Sequence, residues 1–239
     1  MNTRINLWSG PRNISTAMMY SFAQRADTTA IDEPLYGYYL KQTEFIHPGY
    51  FQILESMECD LDKLKIQFTQ HEYPTPLVFF KQMCHHILYN DYSWIKGMKN
   101  IMLIRHPALV INSYIKVIEE ISIDRIGIAA QMDLYNHLSN TNEHVVVISS
   151  QSILENPEHA LTQLCNALDI PFDKAMLKWP VGPKKEDGCW APYWYTNIHK
   201  SKGFEKSENK NITVLPQHEL LLEECMMHYN KLKSYEIKL

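Results

Sequence analysis

Two short segments of the chain bring an arginine, hydroxyl side chains and a helix start together. The first is Trp8-Ser9-Gly10-Pro11-Arg12-Asn13-Ile14-Ser15-Thr16. It follows a short apolar run, Ile5 to Trp8, and leads into apolar residues at helical spacing: Ile14, Ala17, Met18 and Phe22. Backbone N–H groups at a helix start, at the positive end of the helix dipole, attract anions. Arg12 adds a fixed charge and Ser15 and Thr16 add hydroxyl donors, so Arg12, Asn13, Ser15 and Thr16 form a candidate phosphate cradle. A plain helix cap with a surface arginine would use the same residues. The second segment runs from Ile104 to Tyr114. Arg105 ends an apolar run, Pro107 opens a helix, and Ser113 lies about two turns further on. Arg105 and Ser113 close on one phosphate if that helix runs back past the strand tip. Otherwise Arg105 makes a surface ion pair and Ser113 faces solvent.

Candidate proton acceptors lie nearby in the pattern. Glu33 follows the apolar stretch Thr28 to Ile31 and precedes Pro34, where it would serve as a general base or as a helix-start acid. Lys81, His85 and His86 follow Leu77 to Phe80. Lys81 is an anion contact or a solvated lysine. Adjacent histidines on an α-helix diverge by about 100°, so at most one of the two would face a site. Cys84-His85-His86 has no matching pair elsewhere, and no metal site is expected.

These residues need a frame. Apolar runs at 5–8, 28–31, 77–80, 101–104 and 145–148 alternate with helical periodicity at 14–23, 51–70, 84–89, 108–121, 126–138, 157–168 and 217–232. Asn156 and Pro157 are a helix-start pair. The alternation predicts an α/β fold in three layers, a doubly wound central parallel sheet covered on both faces. Ligands of such sheets bind at the carboxyl ends of the strands, which is where the candidates above fall. One domain is expected over 1–239. Its segment 179–210, rich in aromatics, lysine, Gly and Pro, is too long for a plain connection. It is a lid or binding segment, or an aromatic strap packed over the sheet edge.

Composition narrows the function. Among 239 residues, 45% are hydrophobic and 21% charged, with 23 Lys+Arg against 27 Asp+Glu and a net charge of −4. A nucleic-acid partner is not expected without a basic face. The five cysteines are spread singly, which fits reduced thiols and a cytoplasmic location. No signal peptide or membrane-spanning run is expected. With only eight glycines, the chain has neither the Gly-Lys phosphate loop of ATP and GTP enzymes nor a G-x-G-x-x-G. This disfavours a small-molecule kinase.

Taken together, the two arginine segments resemble the nucleotide motifs of the sulfotransferase family. Arg12-Asn13-Ile14-Ser15-Thr16 is similar to that family's 5′-phosphosulfate loop, Lys/Arg-Ser-Gly-Thr-Thr. Arg105-His106-Pro107 followed by Ser113 is similar to its 3′-phosphate motif, with the same eight-residue step. Lys184-Lys185 with Gly188-x-Trp190 is a weaker echo of its C-terminal Arg-Lys-Gly and Gly-x-Trp region. Ile14 departs from the usual Gly, and Arg12 from the more familiar Lys. The resemblance implies a sulfotransferase-type variant of the P-loop nucleoside-triphosphatase-like fold. It implies 3′-phosphoadenosine 5′-phosphosulfate as co-substrate, a small-molecule acceptor and no metal. It gives Arg12, Glu33, Lys81 and His85 as catalytic candidates, Lys81 as a second sulfate contact, and Arg12, Asn13, Ser15, Thr16, Arg105 and Ser113 as nucleotide contacts. Lys200 and Lys202 are further candidates for the 3′-phosphate. A non-catalytic nucleotide-binding protein of the same fold is the alternative.

Overall fold

The structure, a computed structural model, describes residues 2–118, 120–205 and 212–238. Five strands, β1 (Thr3–Ser9), β2 (Thr28–Asp32), β3 (Leu77–Met83), β4 (Lys99–Ile104) and β5 (Val145–Ser149), form one sheet in the order β2-β3-β1-β4-β5. Every pairing is parallel. The chain leaves β1 toward one edge and later returns to its other side at β4. The loop after β1 therefore sits at the switch point, where such sheets open a crevice.

Helices α1 (Ser15–Ala23), α2 (Tyr36–Thr43), α3 (Tyr50–Ser56), α4 (Leu61–Thr69), α5 (Pro107–Tyr114), α6 (Ile123–Ile126), α7 (Ile128–Asn140), α8 (Ser150–Glu155), α9 (Pro157–Ala167), α10 (Ala191–Trp194) and α11 (Glu219–Lys233) surround the sheet. Alternate strand residues point to opposite faces. Phe79, Leu103 and Ile148 pack against α1 and α9, while Phe80, Met102 and Val147 pack against α4, α5, α7 and α11. A third apolar cluster, with Tyr36, Tyr39, Leu40, Ile53, Trp190 and Tyr195, sits over the strand tips and joins α2 and α3 to the segment after residue 187.

The three-layer expectation is met, but several helix boundaries differ. The single helix expected over 51–70 is two, because Met57 is extended and Asp60 caps α4 through Asp62 N and Lys63 N at 3.0 and 3.1 Å. Periodicity did not reveal α2 at all. The expected helix 108–121 ends at Tyr114, and Gly127, at φ +75°, separates α6 from α7 within the expected run 126–138. Residues 84–89 hold only one 3-10 turn, Cys84–His86. Asn156 does cap α9, accepting from His159 N. No helix among the described residues is long and apolar enough to cross a membrane.

Candidate active site

A cavity of about 400 Å³ opens over the carboxyl ends of β1, β3 and β4. Its floor is the loop between β1 and α1. Gly10 is needed there: a Cβ at this position would lie 2.3 Å from the carbonyl oxygen of Ile126. Arg12 carries the turn in the left-handed region, φ +56°, which costs a non-glycine residue energy and marks functional loops. Ile14 has an ordinary φ of −88°, so the side chain standing where the related loops have Gly is tolerated. Asn13 braces the turn, donating to Leu103 O and accepting from Ile14 N, both at 2.9 Å. Helix α1 then starts without a side-chain cap, and its first-turn residues Ser15, Thr16 and Ala17 line the cavity.

Arg105, at the end of β4, donates through Nη1 to the carbonyl of Arg12. Arg12 Nε donates to Ser113 Oγ at 3.0 Å, across to α5. The two arginine segments are thus one hydrogen-bonded unit, and Arg12, Arg105 and Ser113 all line the same cavity. Burial lowers the pKa of both guanidinium groups, and the charge of Arg12 adds to the effect at Arg105. Both remain charged. Neither occurs in an ion pair among the described residues.

Opposite them lies a carboxylate–lysine cluster. The parallel register sets Asp32 beside Lys81. Glu33 follows with φ +39° and donates its N–H to Lys81 O at 2.8 Å. Lys81, 0% exposed, donates to Asp32 Oδ1 at 2.8 Å, to Glu33 Oε1, and to Tyr195 Oη at 2.7 Å. Burial acts to lower its pKa, but Asp32 and Glu33 outweigh this and hold it well above the usual lysine value. Burial raises the pKa of Glu33, opposed by Lys81 and helped by Asp32. One ammonium cannot fully neutralise two buried carboxylates, and Glu33 is the one that faces the cavity.

The remaining wall is aromatic. His86 stacks on Tyr39 at 4.5 Å and on Tyr36 at 5.1 Å between ring centroids. His47 and Tyr36 Oη are hydrogen-bonded at 2.8 Å. Burial lowers the pKa of His85 to about 4 and that of His86 well below the usual value, while His47 is lowered more modestly. Trp190, Trp194 and Tyr195 close the cavity from the segment after residue 187.

A family model for the sulfotransferase domain matches residues 3–236. The chain belongs to the sulfotransferase domain family. The domain is 36% identical, over 97% of its length, to the branched-chain-amino-acid aminotransferase-like proteins 2 and 1 of Arabidopsis thaliana. It spans only 41% and 42% of those proteins. Solved structures share the fold. The sulfotransferase domain of the curacin biosynthetic pathway superposes with a TM-score of 0.61, at 16% identity, over 100% of this chain and 99% of that one. A sulfotransferase from Alicyclobacillus acidocaldarius gives 0.56 at 11% identity, over 98% and 95% of the two chains. A mouse sulfotransferase complexed with PAP gives 0.52 at 12% identity, over 98% and 89%.

Within this sulfotransferase domain, Arg12, Asn13, Ser15, Thr16, Glu33, Lys81, His85, Arg105 and Ser113 all line one cavity. Several expectations need correction. Lys81 is not a solvated lysine, since it lies inside β3 and is fully buried. Both His85 and His86 line the cavity. They sit in a 3-10 turn that projects into it, not on an α-helix that would splay them. The side-chain amide of Asn13 is committed to the loop, which leaves its backbone as the part available to a ligand. Segment 179–210 is seen as far as Glu205, with 206–210 outside the described residues. Its described part is a packed wall, with Trp179, Trp190 and Tyr195 buried. Lys184, Lys185, Lys200 and Lys202 do not line the cavity. Tyr36 and His47 were given no role from the sequence, whereas Asp32 was expected beside Glu33 at the end of the second strand and Tyr195 was expected with Trp190, Tyr193 and Trp194 as a wall of the acceptor pocket or a platform for adenine. Nothing local pointed to the contact of Tyr195 with Lys81, which spans 114 positions.

Proposed function

We propose that the domain transfers a sulfuryl group from 3′-phosphoadenosine 5′-phosphosulfate to a hydroxyl or amine of a small acceptor. One observation carries this reading. Arg12 and Arg105 are partly buried, share one cavity and have no carboxylate partner among the described residues. Buried charge without a counter-charge is costly, and a nucleotide with two separate phosphates supplies two counter-charges. The donor set fits such a molecule. First-turn N–H groups of α1, Ser15, Thr16 and Arg12 would hold the 5′ side, and Arg105 with Ser113 the 3′ side. The related mouse enzyme crystallised with PAP supports this nucleotide class.

When bound, the nucleotide supplies a sulfuryl group whose bond to the 5′-phosphate oxygen breaks as a bond to the acceptor atom forms. Arg12 and the N-terminus of α1 stabilise the charge left on that oxygen. Glu33 takes the proton from the acceptor, and its raised pKa makes it a stronger base than an ordinary carboxylate. Lys81 has its three N–H groups placed on Asp32, Glu33 and Tyr195, so it holds the base in place. His85 is a weak base with its pKa lowered to about 4 and contributes to the acceptor wall.

Thermal shift separates the nucleotide classes. Adenosine 3′,5′-bisphosphate at about 100 times its Kd should add roughly 2.7 kcal/mol of stability, and ATP with magnesium should add much less. The reverse order would overturn the proposal. Transfer of labelled sulfate to an acceptor panel then tests catalysis. Bisphosphate binding without transfer to any acceptor would make the domain a nucleotide-binding protein.

A further inference from the structure

The strand tips carry two adjacent carboxylates, and the structure treats them differently. Asp32 is 6% exposed and receives three donors. Lys81 Nζ reaches Oδ1 at 2.8 Å, and Tyr195 Oη and Gly188 N reach Oδ2 at 2.7 and 3.2 Å. Tyr195 Oη is itself saturated, because it accepts from Lys81 at 2.7 Å and from Trp190 Nε1 at 3.2 Å while donating to Asp32. Glu33 has one of these partners only, Lys81 on Oε1. It lines the cavity and Asp32 does not. The donors on Asp32 from Gly188 and Tyr195 come from the aromatic strap after residue 187, which nothing in the local sequence ties to the strand tips.

We propose that Asp32 and Tyr195 are positioning residues for proton transfer at Glu33. Tyr195 anchors the Asp32 carboxylate, and the two together keep Lys81 in one place, so that the free oxygen of Glu33 is the carboxylate atom that exchanges a proton with the acceptor. The strap is thereby part of the catalytic apparatus and more than a cover. This rests on the sulfuryl-transfer reading for its chemistry. The coupling among Asp32, Tyr195, Lys81 and Glu33 does not.

Lys81 from β3 is the cation in contact with Glu33 and Asp32 the neighbouring carboxylate, while Arg12 and Arg105 stand across the cavity. Tyr36 from α2, Tyr20 from α1 and Tyr195 all have their pKa raised, chiefly by burial. His86, from the turn after β3, has its pKa lowered by burial. Through the neutral range these four groups carry no charge. A change at Asp32 therefore reads out directly at Glu33. Removing the Asp32 charge takes away an influence that raises the Glu33 pKa. Removing the Tyr195 hydroxyl strips Asp32 of a donor that screens its charge, so the same influence grows.

The test is the titration of the Glu33 side-chain carboxyl, followed by carbon-13 NMR in the full chain and assigned by its loss in Glu33→Gln. Asp32→Asn should move the titration to lower pH, and Tyr195→Phe should move it to higher pH. A merely structural role predicts a different pattern: loosened packing admits water, which lowers the titration in both variants. In the transfer assay, Tyr195→Phe should lower kcat by about tenfold, the order of one hydrogen bond to a charged group. The affinity for adenosine 3′,5′-bisphosphate should stay within about twofold by the same reasoning, since its contacts lie elsewhere. Any combination other than opposite shifts overturns the proposal. A wild-type chain that transfers no sulfuryl group would sink the functional reading instead, and the titrations would still decide the coupling.

Discussion

Replacement of Arg105 by Ala is the most informative perturbation of the proposed nucleotide site. Two contributions are lost. Arg105 would bond the 3′-phosphate, and it also bonds the carbonyl of Arg12, which helps hold the left-handed turn at that residue. The brace also has a charged donor, but it supports the loop and does not touch the ligand, so only part of its energy reaches binding, about 0.5–1.5 kcal/mol, and its loss weakens every nucleotide that uses the loop. The phosphate contact is charge-assisted and worth about 1.5–3 kcal/mol, and its loss weakens only nucleotides with a 3′-phosphate. At about 1.4 kcal/mol per decade, 5′-AMP should weaken by roughly twofold to tenfold. Adenosine 3′,5′-bisphosphate should weaken by a further tenfold to hundredfold. Isothermal titration of both ligands against wild type and Arg105→Ala gives the two ratios. Arg105→Lys should recover part of the loss, because it keeps the charge without the fork. Equal weakening of the two nucleotides would show that Arg105 serves the loop alone and would refute its assignment to the 3′-phosphate.

Other consequences can be checked independently. Glu33→Gln should lower kcat by about 10²–10⁴-fold, the usual contribution of a general base, with bisphosphate affinity retained. In the wild type, the acidic limb of kcat should lie above the ordinary carboxylate range, because the raised pKa of Glu33 means the base is lost as pH falls through that higher value. An acidic limb at ordinary carboxylate pH would count against Glu33. Gly10→Ala should destabilise the domain by about 1–3 kcal/mol, since the new methyl meets the backbone of Ile126. An unchanged Tm would mean that the approach is not kept in solution. Stability should also decline as pH falls from about 6.5 toward 4. Over that window the unfolded chain takes a proton that folded His85, lowered to about 4, refuses. The contribution is about 2–3 kcal/mol after allowing for partial exposure. Denaturant midpoints of His85→Gln against pH should be flatter than wild type, and parallel curves would show that the imidazole is not held neutral.

Much of the architecture was legible along the chain, because strand and helix periods are local properties. The five apolar runs are the five strands, and Arg12, Glu33 and Arg105 sit where strand-end logic puts them. Helix ends were harder, since Asp60 and Gly127 interrupt periodic runs through capping and a left-handed turn that periodicity does not register. The short helix α2 was invisible for a different reason. Tyr36 and Tyr39 are buried with the distant strap and Tyr38 in the core on one face of the sheet, so the helix is covered on more than one side and shows no helical period of burial.

Local spacing placed the candidate anion-binding groups at the ends of the strands. The folded chain alone assigned them partners. Sheet register put Lys81 beside Asp32, the return of α5 brought Ser113 to Arg12, and the strap carried Tyr195 to Lys81. Each of these contacts joins residues 49 to 114 positions apart. Whether such groups become neighbours depends on how the layers pack, and no window of sequence contains that.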